Sequence, residues 1–441
     1  MRPILNFRCL TIVFSILILS FSACKKDKPN KIVTAGAADF SRYISVGNSI
    51  TSGFADGGLY LAGQQVAFPN LLAGQMKLAG GGTFTSPLFS ADQANGSGYL
   101  KLSGYNADGS PMIDSVKTNL AVRNIITIPA VGTITLFTKY TGDLNNYGVP
   151  GINLRDVTNP LYGNYNGFFE RLFTASAGTI ATPYLDFVTA KPFTFFTCWL
   201  GNNDALGYAK SSGTAANFAL TDKTTFSTTY NTTITALTKT GAKGVVCTIP
   251  DLTVIPFFNY ITVRALLAAA QKVNPLFTTL YIRALDESGN YVTRAATNAD
   301  LIMLTFKTAQ LGASVNGGIL YGLSPANPLL SKEVLDVNEA AKVKDYINSY
   351  NTTIRAVAAA NNLPVFDAYA LLNQLRNGIT QDGVTLNTNF ISGGFFSLDG
   401  VHFTPRGNAF VTDEIIKVIN AKYGSTMPAL DISSYNTVKV Q

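Results

Sequence analysis

Five short stretches of the chain are apolar at nearly every position: RYISVG (Arg42–Gly47), NYGVPG (Asn146–Gly151), FTFFTCWLG (Phe193–Gly201), GVVCTIPD (Gly244–Asp251) and LPVFDA (Leu363–Ala368). Strict alternation would mark strands with one wet face. Continuous apolar runs mark strands covered on both faces, as in a parallel sheet. Between the runs the period lengthens to that of helices. FPNLLAGQMKLA follows the first run. After Asp336 the residues Ala340, Val343, Ile347, Tyr350, Ile354 and Val357 recur at steps of three and four. Asp336 with Glu339 three positions on forms a capping box, and Asn361 and Asn362 end the pattern. A last helix begins after Thr404, a good N-cap, with Pro405 in the tolerated first position. Its expected buried stripe is Val411, Ile415, Val418 and Ile419.

Strand, crossover helix and strand in succession predict an α/β fold: a flavodoxin-like, three-layer parallel sheet with helices on both faces. Two segments break the rhythm. Residues 80–140 are rich in Gly, Thr, Ser and aromatics, with β-like pieces such as GTITLFTKY. Residues 252–335 are mixed, with a helical pattern at RALLAAAQKV. Both read as large insertions at strand ends within one domain spanning 42–441.

The N-terminus changes the picture of where the protein works. Arg2 and Arg8 precede an apolar run, Leu10–Ala23, shorter than the ~20 residues a bilayer-spanning helix needs. It ends in SFSAC. This resembles a bacterial lipoprotein cleavage box, with a signal peptide over 1–23 and Cys24 as the lipidated first residue; an ordinary secretory signal cleaved nearby is the alternative. Residues 24–41, with KKDKPNK directly after the cysteine, are then a flexible tether. The expected setting is an exported protein held to the outer membrane by its lipid, on the periplasmic face or the cell surface. The net charge of +7 is spread out, with its densest run at Lys25–Lys31 beside the lipid and no nucleic-acid footprint. With 47% hydrophobic and 13% charged residues the chain can build a large core. Cys198 and Cys247 lie in apolar runs, as small buried hydrophobes do, and two cysteines make no disulfide framework.

The chemistry-bearing residues fall beyond the carboxyl ends of the predicted strands, where open parallel sheets bind ligands. In VGNSITSG, Ser49 stands where strand turns to helix and can present its hydroxyl above the sheet; alone, such a serine is more often a simple cap. In NYGVPGINL, Gly151 has no side chain to keep its N–H from an oxygen. In WLGNNDAL, Asn203 offers an amide donor and Asp204 a brace for the loop. In SLDGVHFTPRG, Asp399 and His402 are three apart, so a tight turn can bring the carboxylate beneath the imidazole and fix its tautomer. His402 is the only histidine in 441 residues, and histidine is the residue type suited to general-base work near neutral pH.

Taken together, GNSIT, VPG, GNND and DGVH in this order resemble the four blocks of the SGNH (GDSL-type) hydrolases. The resemblance covers Arg42 to Tyr423. The wording of VGNSIT and GGFFSLDGVHFTPRGNAF is similar to exported, lipid-anchored members from Bacteroidetes-type bacteria. It implies a serine esterase or lipase cleaving carboxylic esters through an acyl-enzyme. Ser49 would be the nucleophile, His402 the base and Asp399 its orienting acid. Ser49, Gly151 and Asn203 would form the oxyanion hole, with Asn48 and Asp204 in support. Two positions depart from the family: Asn48 replaces the usual aspartate, and Phe403 stands where proline is common. A carbohydrate O-deacetylase, an acyltransferase on the same site, and a non-catalytic glycan-binding lipoprotein are the alternatives. The expected partners are an ester of a small molecule, glycan or lipid, and a membrane through the anchor, without nucleic acid. No cofactor is expected, and with one histidine a His- or Cys-based zinc site is not either.

Overall fold

The continuous apolar runs become the five strands of one parallel sheet in the computed structural model of the chain. The model describes residues 32–129, 132–215, 218–315 and 318–441. The leader over 1–23, Cys24 and the Lys25–Lys31 run lie outside the described residues. The strands are β1 (Tyr43–Gly47), β2 (Asn146–Gly148), β3 (Phe195–Trp199), β4 (Lys243–Cys247) and β5 (Val365–Phe366). Every residue of β1, β2 and β3 is buried, as double-faced cover demands. The spatial order is β5-β4-β3-β1-β2, all neighbours parallel. This is the doubly wound flavodoxin-like arrangement expected, with its switch point between β1 and β3. Each strand is shorter than its apolar run. In the second run, for example, the last register sets Gly47 beside Gly148, Val149 N still donates to the Gly47 carbonyl at 3.0 Å, and Pro150 comes next, a residue that cannot donate to a ladder.

The helices follow their periods. Helix α1 (Ser49–Ser52) turns directly off β1, and α2 (Phe68–Leu78) follows it. Beyond β3 come α3 (Asn203–Ser211) and α4 (Lys223–Thr238). The long α5 (Val337–Ala360) opens with the capping box: Asp336 accepts from the N–H groups of Asn338 and Glu339, and Glu339 accepts from that of Asp336. Its buried face includes Val343, Ile347, Tyr350 and Ile354, but Ala340 and Val357 are half-buried and Ala358 is buried instead. After β5 come α6 (Ala368–Leu375) and α7 (Pro405–Tyr423). On α7, Val418 is only half-buried and Ile416 takes its place in the stripe. A strict three-four alternation drifts around a helix, so the ends of a long stripe shift by one position. Cys198 and Cys247 are buried and free.

Residues Thr34–Gln441 form one compact unit. Within 80–140 lie two antiparallel hairpins, Tyr99–Tyr105 with Pro111–Val116 and Val122–Ile128 with Gly132–Phe137. Within 252–335 the helix Val263–Val273 packs against the hairpin Tyr281–Leu285 with Tyr291–Ala295 over a cluster including Leu266, Ile282, Ala284 and Leu329. This segment also braces the tail: the Phe257 N–H donates to the Gly400 carbonyl at 3.0 Å. No helix among the described residues is long and apolar enough to cross a membrane.

Candidate active site

The site is built at the carboxyl ends of β1, β2 and β3. Asn48 caps α1: its Oδ1 accepts from the Ile50 N–H at 3.1 Å, so the chain leaves β1 with Ser49 at the first helical position. Close approach of α1 to β2 requires Gly148, where a Cβ would lie 2.3 Å from the Ser52 nitrogen. Buried Tyr184 ties the strand ends together, accepting from the Gly47 N–H and donating to the Tyr147 carbonyl. Ser49 is thereby held on packed backbone, 8% exposed.

The tail supplies the rest. Ser397–His402 forms a tight turn in which the Ser397 N–H donates to the His402 carbonyl at 2.8 Å. His402 Nδ1 lies 2.7 Å from Asp399 Oδ2, and Nε2 lies 2.8 Å from Ser49 Oγ. Asp399 and His402, three residues apart in the tail, thus join Ser49, some 350 residues earlier, in one continuous hydrogen-bonded line. Asp399 also accepts from Gly57 N on Oδ2, and from Ser397 Oγ, Val401 N and His402 N on Oδ1. Burial alone would raise its pKa, but the charge of His402 and these donors outweigh it and hold the carboxyl well below the usual range. Phe54 covers the imidazole, ring centroids 4.8 Å apart.

Gly151 and Asn203 border the same wide cleft as Ser49 and His402. Gly151 has φ of +85°, which a side chain would strain. The Pro150 carbonyl before it accepts from the Asn166 amide at 2.8 Å. A trans peptide directs its N–H opposite its C=O, so that bond fixes the heading of the Gly151 N–H. Asn203 donates one amide hydrogen to the Ile152 carbonyl at 2.8 Å, which leaves its second hydrogen for a ligand. Asp204 does not border the cleft. It is buried at the start of α3 and accepts from Leu154 N at 2.6 Å, from Thr221 Oγ1 at 2.6 Å and from Arg155 N at 3.4 Å. It joins the loops after β2 and β3, and burial pushes its carboxyl up to about 6 despite those donors.

Two residues that sequence reasoning passed over belong to this construction. Asp56 has φ of +51°, and its carboxylate accepts from Leu398 N at 2.9 Å and from Tyr60 Oη at 2.7 Å. Its own N–H donates to Ser397 Oγ at 2.9 Å. It therefore clamps the histidine turn to the loop behind the serine, and burial pushes its carboxyl up to about 6. The signal was present in FADGG, since Asp-Gly is a turn with positive φ. Asn166 caps the short helix Gly167–Glu170 through Phe168 N and Phe169 N while its amide holds Pro150. Only the capping half could be read from the sequence. Phe403 is accounted for by packing: it is buried and lies 4.8 Å from Phe395 and 6.1 Å from Trp199 between ring centroids. Among the described residues no group of three or more His, Cys, Asp or Glu side chains is arranged to hold a metal ion.

No family model and no curated protein matches the chain. Solved structures similar to it include LAE5, an alpha/beta hydrolase enzyme from the metagenome of Lake Arreo, Spain, at 9% identity and TM-score 0.38, covering 87% of this chain and 97% of that one. A variant of Axe2, an acetyl-xylooligosaccharide esterase from Geobacillus Stearmophilus, has 9% identity and TM-score 0.37, covering 87% and 96%. A lipase/acylhydrolase from Enterococcus faecalis has 12% identity and TM-score 0.32, covering 88% and 100%. Likenesses this distant do not bear on the chemistry, for which the geometry above is the ground.

Proposed function

We propose that the chain is a serine hydrolase of carboxylic esters. The observation that supports this is the line Asp399–His402–Ser49, with contacts of 2.7 and 2.8 Å, opening on a cleft of about 590 Å³. Asp399 keeps the proton of the neutral imidazole on Nδ1, so Nε2 is free to take the proton of Ser49. Ser49 Oγ attacks the ester carbon and the C–O bond to the alcohol breaks. His402 returns the proton to the departing alcohol, leaving an acyl-serine. Water then repeats the sequence through His402 and releases the acid. The Ser49 and Gly151 N–H groups and the free hydrogen of Asn203 receive the negative oxygen of each tetrahedral state. Each such donor supplies about 10²–10³ in rate. The test is labelling by a fluorophosphonate probe together with turnover of a simple ester. Labelling and turnover are expected in the wild type and absent in Ser49→Ala; an unlabelled wild type overturns the reading. The leader over 1–23 and lipid-bearing Cys24 belong to the same proposal, tested by incorporation of labelled fatty acid in the wild type and its loss in Cys24→Ala.

A further inference from the structure

Ser49 lies between two cavities of very different size. Besides the wide cleft, a second pocket shares Ser49, Asn203, Leu206 and His402 with it but runs inward. Its volume is about 20 Å³, room for about one water-sized group. Its remaining walls include Leu252, Ile255, Leu372, Phe396, Val401 and Phe403, all buried. They come from the segment after β4, from α6 and from the histidine turn, so no single loop can swing aside to enlarge it. Phe396 is itself wedged between Phe395 and Phe403, with centroids 4.9 and 6.1 Å away. A close-packed interior of this kind does not stretch to admit extra methylenes without strain.

The wide cleft has the opposite character. Phe54, Phe137, Tyr165 and Phe168 border it beside Asn166 and Lys210. Phe137 and Phe168 are stacked with centroids 4.5 Å apart, and the hairpin of the first insertion forms one wall with Thr133, Ile134 and Thr135. Its volume suits a ligand of several rings or residues.

We infer that the substrate is an ester of a very short acid, acetyl above all, with a bulky alcohol. The methyl of the acyl group enters the inner pocket and the alcohol leaves through the wide cleft. The inference rests on the serine-hydrolase reading, and goes beyond it in assigning the two halves of the ester to the two cavities. Balance at the serine is unchanged: acetyl is transferred from the alcohol oxygen to Ser49 Oγ and then to water, with His402 carrying the proton both ways.

The experiment is a series of 4-nitrophenyl esters, acetyl, butyryl, hexanoyl and octanoyl, so that the leaving group is constant. It is run on the wild type, Ser49→Ala, Leu372→Ala and Val401→Ala, with each variant's fold checked by circular dichroism. In the wild type, kcat/KM is expected to fall by on the order of tenfold from acetyl to butyryl and again to hexanoyl. Leu372→Ala is expected to narrow the acetyl-to-butyryl ratio severalfold. Val401→Ala, a smaller excision at the edge of the pocket, reads the same ratio if Leu372→Ala does not fold. A Ser49-dependent profile that is flat or rises with chain length overturns the inference and leaves the hydrolase reading intact, as does a ratio unmoved in a folded pocket variant. Absence of Ser49-dependent turnover of every ester overturns both.

Discussion

Exchange of Asp399 for asparagine changes one heavy atom and isolates what the carboxylate does. The amide oxygen can keep the Oδ1 position with its three donors, Ser397 Oγ at 3.1 Å and the N–H groups of Val401 and His402 at 2.9 Å. The NH₂ then stands where Oδ2 meets His402 Nδ1 at 2.7 Å and Gly57 N at 3.0 Å. A donor facing Nδ1 forces the ring proton onto Nε2. That nitrogen, 2.8 Å from Ser49 Oγ, can no longer accept. In serine proteases the same exchange lowers turnover by ~10⁴, about 5.5 kcal/mol in activation free energy. The fold loses far less. The one stranded donor, Gly57 N–H, is on an exposed residue where water replaces the partner, so ~1 kcal/mol is expected. Turnover of 4-nitrophenyl acetate and the urea midpoint, measured on the same preparation, read the two quantities. An Asp399→Asn protein turning over within tenfold of the wild type refutes the tautomer argument, and a large drop in midpoint refutes the claim that the effect is chemical.

Asn166→Ala and Asn166→Asp are expected to separate capping from peptide orientation. Asp retains the acceptors for Phe168 N and Phe169 N but cannot donate to Pro150, so it keeps its melting temperature and still loses up to ~10² in kcat. Asp56→Ala strands the Leu398 N–H and places alanine at a positive φ. Together these cost ~2–4 kcal/mol by denaturant midpoint, while Asp56→Asn restores most of it. Stability is expected to fall as pH rises through weak acid. Asp204 and Asp56, raised to about 6, and Glu339, raised to about 7, stabilise fully below their unfolded values near pH 4, and their contributions are lost as pH rises through 6 to 7. Asp399, depressed, runs the other way and loses its contribution only as pH falls below about 4. For Asp204 the rise from 3.8 to about 6 is ~3 kcal/mol. Asp204→Asn should therefore flatten the decline in urea midpoint between about pH 4 and about pH 6.

The sheet was legible because burial on both faces writes itself into composition: YISVG and FFTCW can hardly be anything but interior strands. Their ends were less legible, because an apolar run continues past the last hydrogen bond into the core-lining turn, as VPG does after Gly148. The convergence of Ser49, Asp399 and His402 was legible through spacing, Asp399 to His402, and through the position of Ser49 after a strand. The inner pocket was not. Leu252, Leu372 and Phe396 look like any core residues, and only three-dimensional convergence makes them a boundary. Asp56 and Asn166 were passed over for a related reason. Each carries a local turn or cap signal that is sufficient by itself, which hides a second, long-range bond.

Those long-range bonds bear on the two positions, Asn48 and Phe403, at which the sequence departs from the pattern it resembles. Asn48 supplies the acceptor for Ile50 N through its amide oxygen without burying a charge beside Ser49, while its amide nitrogen is buried without a partner. Phe403 sacrifices a proline's rigidity, but Thr404 Oγ1 caps α7 through Gly407 N at 3.0 Å, and Asp56 holds Leu398 from the opposite side. The turn carrying His402 is thus fixed at both ends by hydrogen bonds and beneath by aromatic packing. Rigidity that the sequence lacks at one position is supplied by contacts elsewhere. The imidazole therefore has one orientation to offer Ser49 at 2.8 Å, which is what the proposed general-base role requires.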